Sequence, residues 1–362
     1  MQTRNSTFSH ILQFVNHYLG WRNWSVLVYN SVLENVFLIF YIALRNEFFS
    51  LSFVVSFFAF FLFSMFSTTY GYLINDLADK NLDLRHGKQN TFEKDSRTKA
   101  SLIVFLFLSL SVVFGLYFVK NVYFLLLWVF WAFLTTFYSV KPIRLKEKGK
   151  IGLVFVVLAQ RVLPTFIIFT AFKYYIGVDV IVFGTYILLR GLSSDLNHQL
   201  EDYERDKHTD TDTYAVQSGF HSARKVFYFS LEAEKILLIL CLGTMYLRLP
   251  QYKVYGVSLF LPVLVGYIIL YGLTWWQIRS SGEGFDMNPF IFGRKDIFQF
   301  IHHTFPSVLL PFYLLLLLVY ENWIFIMILI FIIIYRKIYS IELIKSNFIF
   351  KRIRHIIIKL QN

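Results

Sequence analysis

The feature that most constrains this chain is a succession of apolar blocks, each nearly free of charge and close to the length of a membrane-crossing helix. About 20 helical residues cross the roughly 30 Å of hydrocarbon in a bilayer. Blocks near 26-44, 51-74, 101-119, 121-140, 152-172, 174-194, 228-248, 254-276, 304-320 and 322-336 meet that requirement, the last being short. Within hydrocarbon every backbone polar group must be paired inside the protein, which leaves helices or closed barrels. Long blocks without period-two alternation predict helices. The composition agrees: 56% of the 362 residues are hydrophobic and only 16% charged, far from the balance of a soluble domain. The expected fold class is therefore all-α, a polytopic membrane helical bundle of nine to ten transmembrane helices.

Lys and Arg cluster in alternate connections, and cytoplasmic loops retain positive charge. Lys80, Arg85, Lys88, Lys94, Arg97 and Lys99 follow the second block, and Lys141, Arg144, Lys146, Lys148 and Lys150 follow the fourth. Arg205, Lys207, Arg224 and Lys225 follow the sixth, and Arg279, Arg294 and Lys295 the eighth. These loops and both termini are predicted to be cytoplasmic, in an integral membrane protein of a cell (inner) membrane. The basic tail after residue 336 favours ten spans over nine, unless it lies in the membrane plane. Three regions follow: a cytoplasmic N-terminal segment 1-25, a transmembrane domain 26-336 and a basic tail 337-362. The net charge of +12 reads as topology and contact with anionic lipid. No nucleic-acid module is visible, and no removable signal peptide is expected. Cys241, the single cysteine, falls inside an apolar block and excludes an internal disulfide.

Against this background the acidic residues stand out. Of 23 Asp and Glu, five lie in 76-95 and seven in 195-212, each window starting where an apolar block ends. Asp76, Asp79 and Asp83 are spaced three and four apart, which puts them on one face of a helix continuing out of the membrane. Asp202 and Asp206 repeat the four-residue step. Asn75, Asp76, Asp79 and Asp83 match His198, Gln199, Asp202 and Asp206 at a constant offset, which suggests a pseudo-repeat of four-helix units. Carboxylates this close repel one another, and next to hydrocarbon they are costly to desolvate. Nearby Lys or Arg could compensate, and so could hard Mg²⁺, which prefers carboxylate oxygens and bridges to substrate phosphates. Arg161, inside the fifth block, is a functional candidate because an intramembrane Arg is expensive; it is a further diphosphate contact or an interfacial residue. His302 and His303 are adjacent and do not share a helix face, so an interfacial reading is preferred to a metal site. Pro164, Pro262, Pro306 and Pro311 are expected to kink their helices.

"NDLADKNLD" at 75-83 resembles the Asn-Asp-x-x-Asp-x-x-x-Asp motif of the UbiA-type intramembrane prenyltransferases, and "HQLEDYERD" at 198-206 resembles that family's second aspartate motif. "YSVKPIRLKEKG", residues 138 to 149, is similar to the signature after the family's fourth helix. "GWRNWSVLVYN" and "QRVLP" are weaker echoes. The likeness covers roughly residues 20 to 320. It implies that Asn75, Asp76, Asp79, Asp83, Asp202 and Asp206 hold Mg²⁺ and, through it, the diphosphate of a prenyl donor. Lys88, Arg144 and Lys146 would contact diphosphate oxygens and Tyr138 would line the site, with Asp76, Asp79, Asp202 and Arg144 central to catalysis. Gln199 stands where many members have the first Asp of the second motif, which leaves that half two carboxylates, with Glu201 or Asp195 as substitutes. The first motif continues as "LRHGKQN" rather than the Arg-Pro run of quinone-pathway members.

The expected function is Mg²⁺-dependent transfer of a prenyl or polyprenyl group from its diphosphate to an acceptor, aromatic or quinone-type by default, in contact with membrane lipid. A membrane terpene cyclase and a polyprenyl-phosphate sugar-phosphate transferase are the alternatives within the same fold. A divalent-cation transporter would need ligands near the midplane. The acidic clusters lie at helix ends instead.

Overall fold

The computed structural model describes residues 3–19, 34–85, 87–175, 177–209, 211–282 and 285–336. The protein is all-α, as the apolar blocks predict. Its helices are α1 (Thr3–Tyr18), α2 (Val36–Arg45), α3 (Leu51–Arg85), α4 (Arg97–Gly115), α5 (Val122–Ser139), α6 (Gly149–Ala171), α7 (Val178–Glu201), α8 (Tyr203–His208), α9 (Tyr214–Ser218), α10 (Phe220–Arg248), α11 (Phe260–Ser281), α12 (Ile297–Glu321) and α13 (Trp323–Tyr335). Among the described residues six helices, α3, α4, α5, α6, α11 and α12, are long and apolar enough to cross a membrane. Helices α2 and α13 are apolar but shorter. Helices α7 and α10 have the length but carry Asp179, Arg190 and Asp195, and Glu232, Glu234 and Lys235. The segment "GWRNWSVLVYN", the start of the first expected span and the tail 337–362 lie outside the described residues.

Among the described residues strand is confined to a hairpin of β1 (Lys253–Val254) and β2 (Val257–Ser258), where the sequence predicts the start of a span. Its tip, Tyr255 and Gly256, has φ of 49° and 81°, the left-handed pair that a two-residue hairpin turn requires.

The chain divides into two compact units. The first comprises described residues within 3–19, 55–174 and 194–224, and carries both aspartate motifs. Its part of α3, residues 55–85, is unbroken, so the apolar stretch and the first motif share one rod. Helix α6 widens into a π turn at Leu158–Val162. Pro164 supplies no N–H to the turn before it, and the wider turn accommodates that loss. Trp131 Nε1 donates to the Ala159 carbonyl at 2.8 Å and so satisfies one acceptor there.

The second unit comprises described residues within 34–54, 175–193 and 225–336. Its core holds a buried polar network: Arg190 donates to Tyr186 Oη at 2.8 Å and to Ser307 Oγ at 3.0 Å, and Ser193 Oγ donates to Glu234 at 2.8 Å. His302 pairs with Glu234 and is only 2% exposed. The interfacial reading of His302 is therefore corrected: Glu234 supplies the partner that lets the imidazole be buried. Pro306 lies inside a second π segment, Phe300–Leu309.

Candidate active site

A cavity of about 670 Å³ lies within the first unit, with α3 along one wall. Its α3 residues recur at Phe60, Phe63 and Ser64, Ser67 and Thr68, Gly71 and Tyr72, Asn75, Asp79, and Leu82 and Asp83. That three-and-four step is one continuous stripe of a helix, so the spacing that places the motif on one face also sets the apolar wall beneath it. Asn75, Asp79, Asp83, Lys88, Tyr138, Arg144, Lys146, Arg161, Asp202 and Asp206 all line this cavity. Of the residues expected to hold metal or diphosphate, Asp76 is not brought to it, nor is Glu201, one of the two possible substitutes for Gln199. The Asp76 carboxylate turns to the following loop, where Oδ2 accepts from Thr91 N at 3.1 Å and Thr91 Oγ1 at 2.6 Å. Thr91 competes for Asp76 because a buried backbone N–H needs a partner and a carboxylate is a strong one.

Asp79 is 7% exposed and holds the connection after α5 in place. Lys146 pairs with it, and Arg144 Nη2 lies 3.1 Å from its Oδ1. Arg144 adopts φ 42° and ψ 63°, the left-handed region that costs a non-glycine residue about 1–2 kcal/mol. That backbone turn is held by Glu147, whose Oε1 accepts from Arg144 Nε at 2.5 Å. Asn75 Oδ1 accepts from Ser139 Oγ at 2.6 Å and Lys146 Nζ at 3.2 Å. Burial pushes the Lys146 ammonium below the usual lysine range, against the opposing pull of Asp79.

The second motif enters from the end of α7 and from α8. Asp202 pairs with Arg205, while Asp206 is 9% exposed. Burial, and then the charge of Asp202, raise the Asp206 carboxyl above the usual range; Lys88 and Arg205 act against them. Gln199 lines the cavity as well, and its Oε1 accepts from Ala215 N on α9 at 3.2 Å. Of its two possible substitutes, Asp195 lines the cavity and Glu201 instead accepts from Asn197 at 2.8 Å. The loops after α5 and α8 are joined through Gly149, whose N–H donates to the Asp212 carbonyl at 2.8 Å.

Mg²⁺ fits this donor set. Two buried carboxylate oxygens in the cavity, Asp79 Oδ1 and Asp195 Oδ2, accept no hydrogen bond among the described residues. Among the described residues no three His, Cys, Asp or Glu side chains converge closely enough to hold an ion unaided. Mg²⁺ is typically held by one or two carboxylates together with water and substrate phosphates, so a site completed by the diphosphate needs no such triad.

Several supporting residues are not apparent from the sequence. Asn90 donates to the Asp76 carbonyl at 2.9 Å and to Asp83 Oδ2 at 2.9 Å, fixing the third aspartate of the motif. The loop that bears Asn90 and Thr91 is itself held by α1, through His17 Nε2 to the Thr91 carbonyl at 3.0 Å and Tyr18 Oη to Asp95 at 3.0 Å. An Asn-Thr pair just past a helix end is a turn-forming signal, and it is the one local cue to this loop.

Residues 35–284 match the model of the UbiA prenyltransferase family. No match is found among curated proteins. A UbiA homologue from Archaeoglobus fulgidus bound to GPP and Mg²⁺ is 19% identical, with a TM-score of 0.51 over 80% of this chain and 99% of that one. Digeranylgeranylglyceryl phosphate synthase in membranes is 17% identical, with a TM-score of 0.50 over 83% of this chain and 97% of that one. At these identities the structures share the fold. The family match spans more than two thirds of the sequence and contains both aspartate motifs and the Arg144 loop, and the chain belongs to the UbiA prenyltransferase family.

Proposed function

We propose that the protein transfers a prenyl group from its diphosphate to an acceptor inside the membrane, releasing diphosphate. The observation that carries this reading is the meeting of Asp79, Asp83, Asp202 and Asp206 with Lys88, Arg144 and Lys146 in one cavity whose far end is aromatic. Donor binding by the relative from Archaeoglobus fulgidus, crystallised with GPP and Mg²⁺, supports it.

In this reading Asp79, Asp83, Asp202 and Asp206, with the Asn75 carbonyl, hold the metal. Bound there, Mg²⁺ would neutralise charge on the diphosphate oxygens. Lys88, Arg144 and Lys146 bind those oxygens directly and stabilise the charge that grows as the allylic C–O bond breaks. Tyr138 lines the diphosphate end, and Arg161 adds a cation to the same wall. Asp76 acts one step back, by fixing the loop beside the motif. The allylic carbon then faces Trp131 and the aromatic wall, where water is excluded and ring faces favour a cation. The acceptor attacks that carbon and gives up a proton; Asp195, buried beside the cavity, is a base within it. The basic loops put the motif end at the cytoplasmic face. Both termini follow by the same rule.

The test is mass spectrometry of lipid extracts after incubation of the purified protein with Mg²⁺, a series of prenyl diphosphates and a panel of acceptors, beside an Asp79→Ala/Asp202→Ala control. A prenylated acceptor absent from the control is the expected result. A cyclised hydrocarbon without adduct would replace transfer by cyclisation, and an intact donor pool would overturn the reading.

A further inference from the structure

The cavity follows α3 from Asp83 to Phe60, and the rings at its far end are packed in a specific way. Phe60 and Phe63, both nearly fully buried, mark that end on α3. Phe60 packs on Phe118 and Phe172 at ring-centroid distances of 5.6 and 5.4 Å, and Phe63 packs on Phe124 at 5.2 Å. A Cβ added at Gly115 would lie 3.3 Å from the Phe63 ring, so that ring already rests against the backbone of α4 and cannot retreat. The plug is thus braced from three helices, α4, α5 and α6 with its C-terminal turn.

From Asp79 to Phe60 the helix is unbroken, and nineteen residues at 1.5 Å each give an axial length of about 28 Å. Extended chain advances about 3.3–3.6 Å for every three backbone bonds, so the four bonds of an isoprene unit advance roughly 4.5 Å. One such length is taken by the diphosphate. About five remain, and fewer if the tail bends.

We infer that the Phe60–Phe63 plug sets the donor's length, selecting a tail of four to five isoprene units. The inference rests on the prenyl-donor reading above. The stripe from Ser64 to Tyr72 is the wall along which the tail lies, and a longer tail has no room before the rings.

Binding and turnover separate this inference from the reading it rests on. Prenyl diphosphates and their unreactive thiolodiphosphate analogues of two to ten isoprene units would be compared for thermal stabilisation of the protein with Mg²⁺ and, for the diphosphates with the panel of acceptors present, for release of diphosphate. The expected result is an optimum at four to five units, with affinity for seven or more units at least tenfold weaker. Phe60→Ala/Phe63→Ala should move the optimum up by one or more units, and Ser64→Phe, which raises the floor by a turn, should move it down. Where the double variant fails to fold, Phe63→Leu and Ser64→Phe give the two directions. Equal binding of four and ten units by the native protein would overturn the inference, because the tail would then leave between helices; so would an optimum that ignores all three positions. Binding with the expected optimum but without turnover would leave the plug in place and sink the transferase reading. Failure of every donor to bind would sink both.

Discussion

Arg144 Nη2 stands 3.1 Å from Asp79 Oδ1, yet that oxygen receives no aligned hydrogen bond. The pair is a contact of charges rather than a closed fork, so each partner keeps capacity for something else. Asp79 can give an oxygen to a cation and Arg144 can turn its donors to a phosphate. Lys146, paired with the other oxygen of Asp79, has the same choice. Arginine's planar fork matches phosphate oxygens in a way that a lysine ammonium does not. Arg144→Lys should therefore keep the loop charged while lowering kcat/KM for diphosphate release by about 10²-fold, the scale of losing one well-placed charge-stabilising donor. Asp79→Asn should cost at least as much. A near-native rate in either variant would remove the pair from the reaction.

Asp76 differs from its neighbours in where its loss will register. It is fully buried and accepts two hydrogen bonds from Thr91. Asp76→Ala leaves both donors buried without a partner, a loss of about 1–3 kcal/mol for each orphaned group. Melting in detergent should show a clearly lower midpoint for Asp76→Ala than for Asp79→Ala. Thr91→Val should reproduce part of that loss, since it removes the shorter of the two bonds. Native melting of Asp76→Ala with abolished diphosphate binding would instead make Asp76 a ligand.

The contrast between these two aspartates shows what the sequence can and cannot convey. Three-and-four spacing is a property of the helix itself, so α3, its line of Asp79 and Asp83 and the apolar stripe below them are legible in the residues alone. The side-chain direction of Asp76 depends on where the chain returns after the helix ends, and no periodicity carries that. The burial of His302 is hidden for a related reason: its partner Glu234 lies on a different helix and is 68 positions distant in sequence. The π turn at Leu158–Val162 has a local cue in Pro164, but a proline predicts disruption without specifying its form.

Gly149 joins the loops after α5 and α8, and its backbone disfavours a side chain. Its φ is 52°, and a Cβ would fall 1.9 Å from the carboxamide of Gln217. Gly149→Ala should lower the melting midpoint through about 1–2 kcal/mol of left-handed strain and through displacement of Gln217. Adding Gln217→Ala should relieve the clash and leave the strain, so the double variant should recover part of the stability and not all of it. Full recovery would show that the backbone at residue 149 relaxes freely.

The pH dependence of kcat/KM reports essential groups of the free enzyme. On the acid side the group is Asp206, which must be ionised to accept a cation. Burial and the charge of Asp202 raise its pKa, so activity should fall at a higher pH than an ordinary carboxylate would dictate. On the alkaline side the group is Lys146, which must be protonated to hold diphosphate. Burial lowers its pKa, so its charge is lost at a lower pH than an ordinary lysine would lose it. The two shifts narrow the active range from both ends. Asp202→Asn removes one of the causes that raise Asp206, and should carry the acid limb of the residual activity to lower pH while leaving the alkaline limb in place. Lys146→Arg substitutes a group that stays protonated throughout, and should abolish the alkaline limb. An acid limb unmoved in Asp202→Asn would separate the two carboxylates electrostatically, and an alkaline limb that persists in Lys146→Arg would assign it to another base.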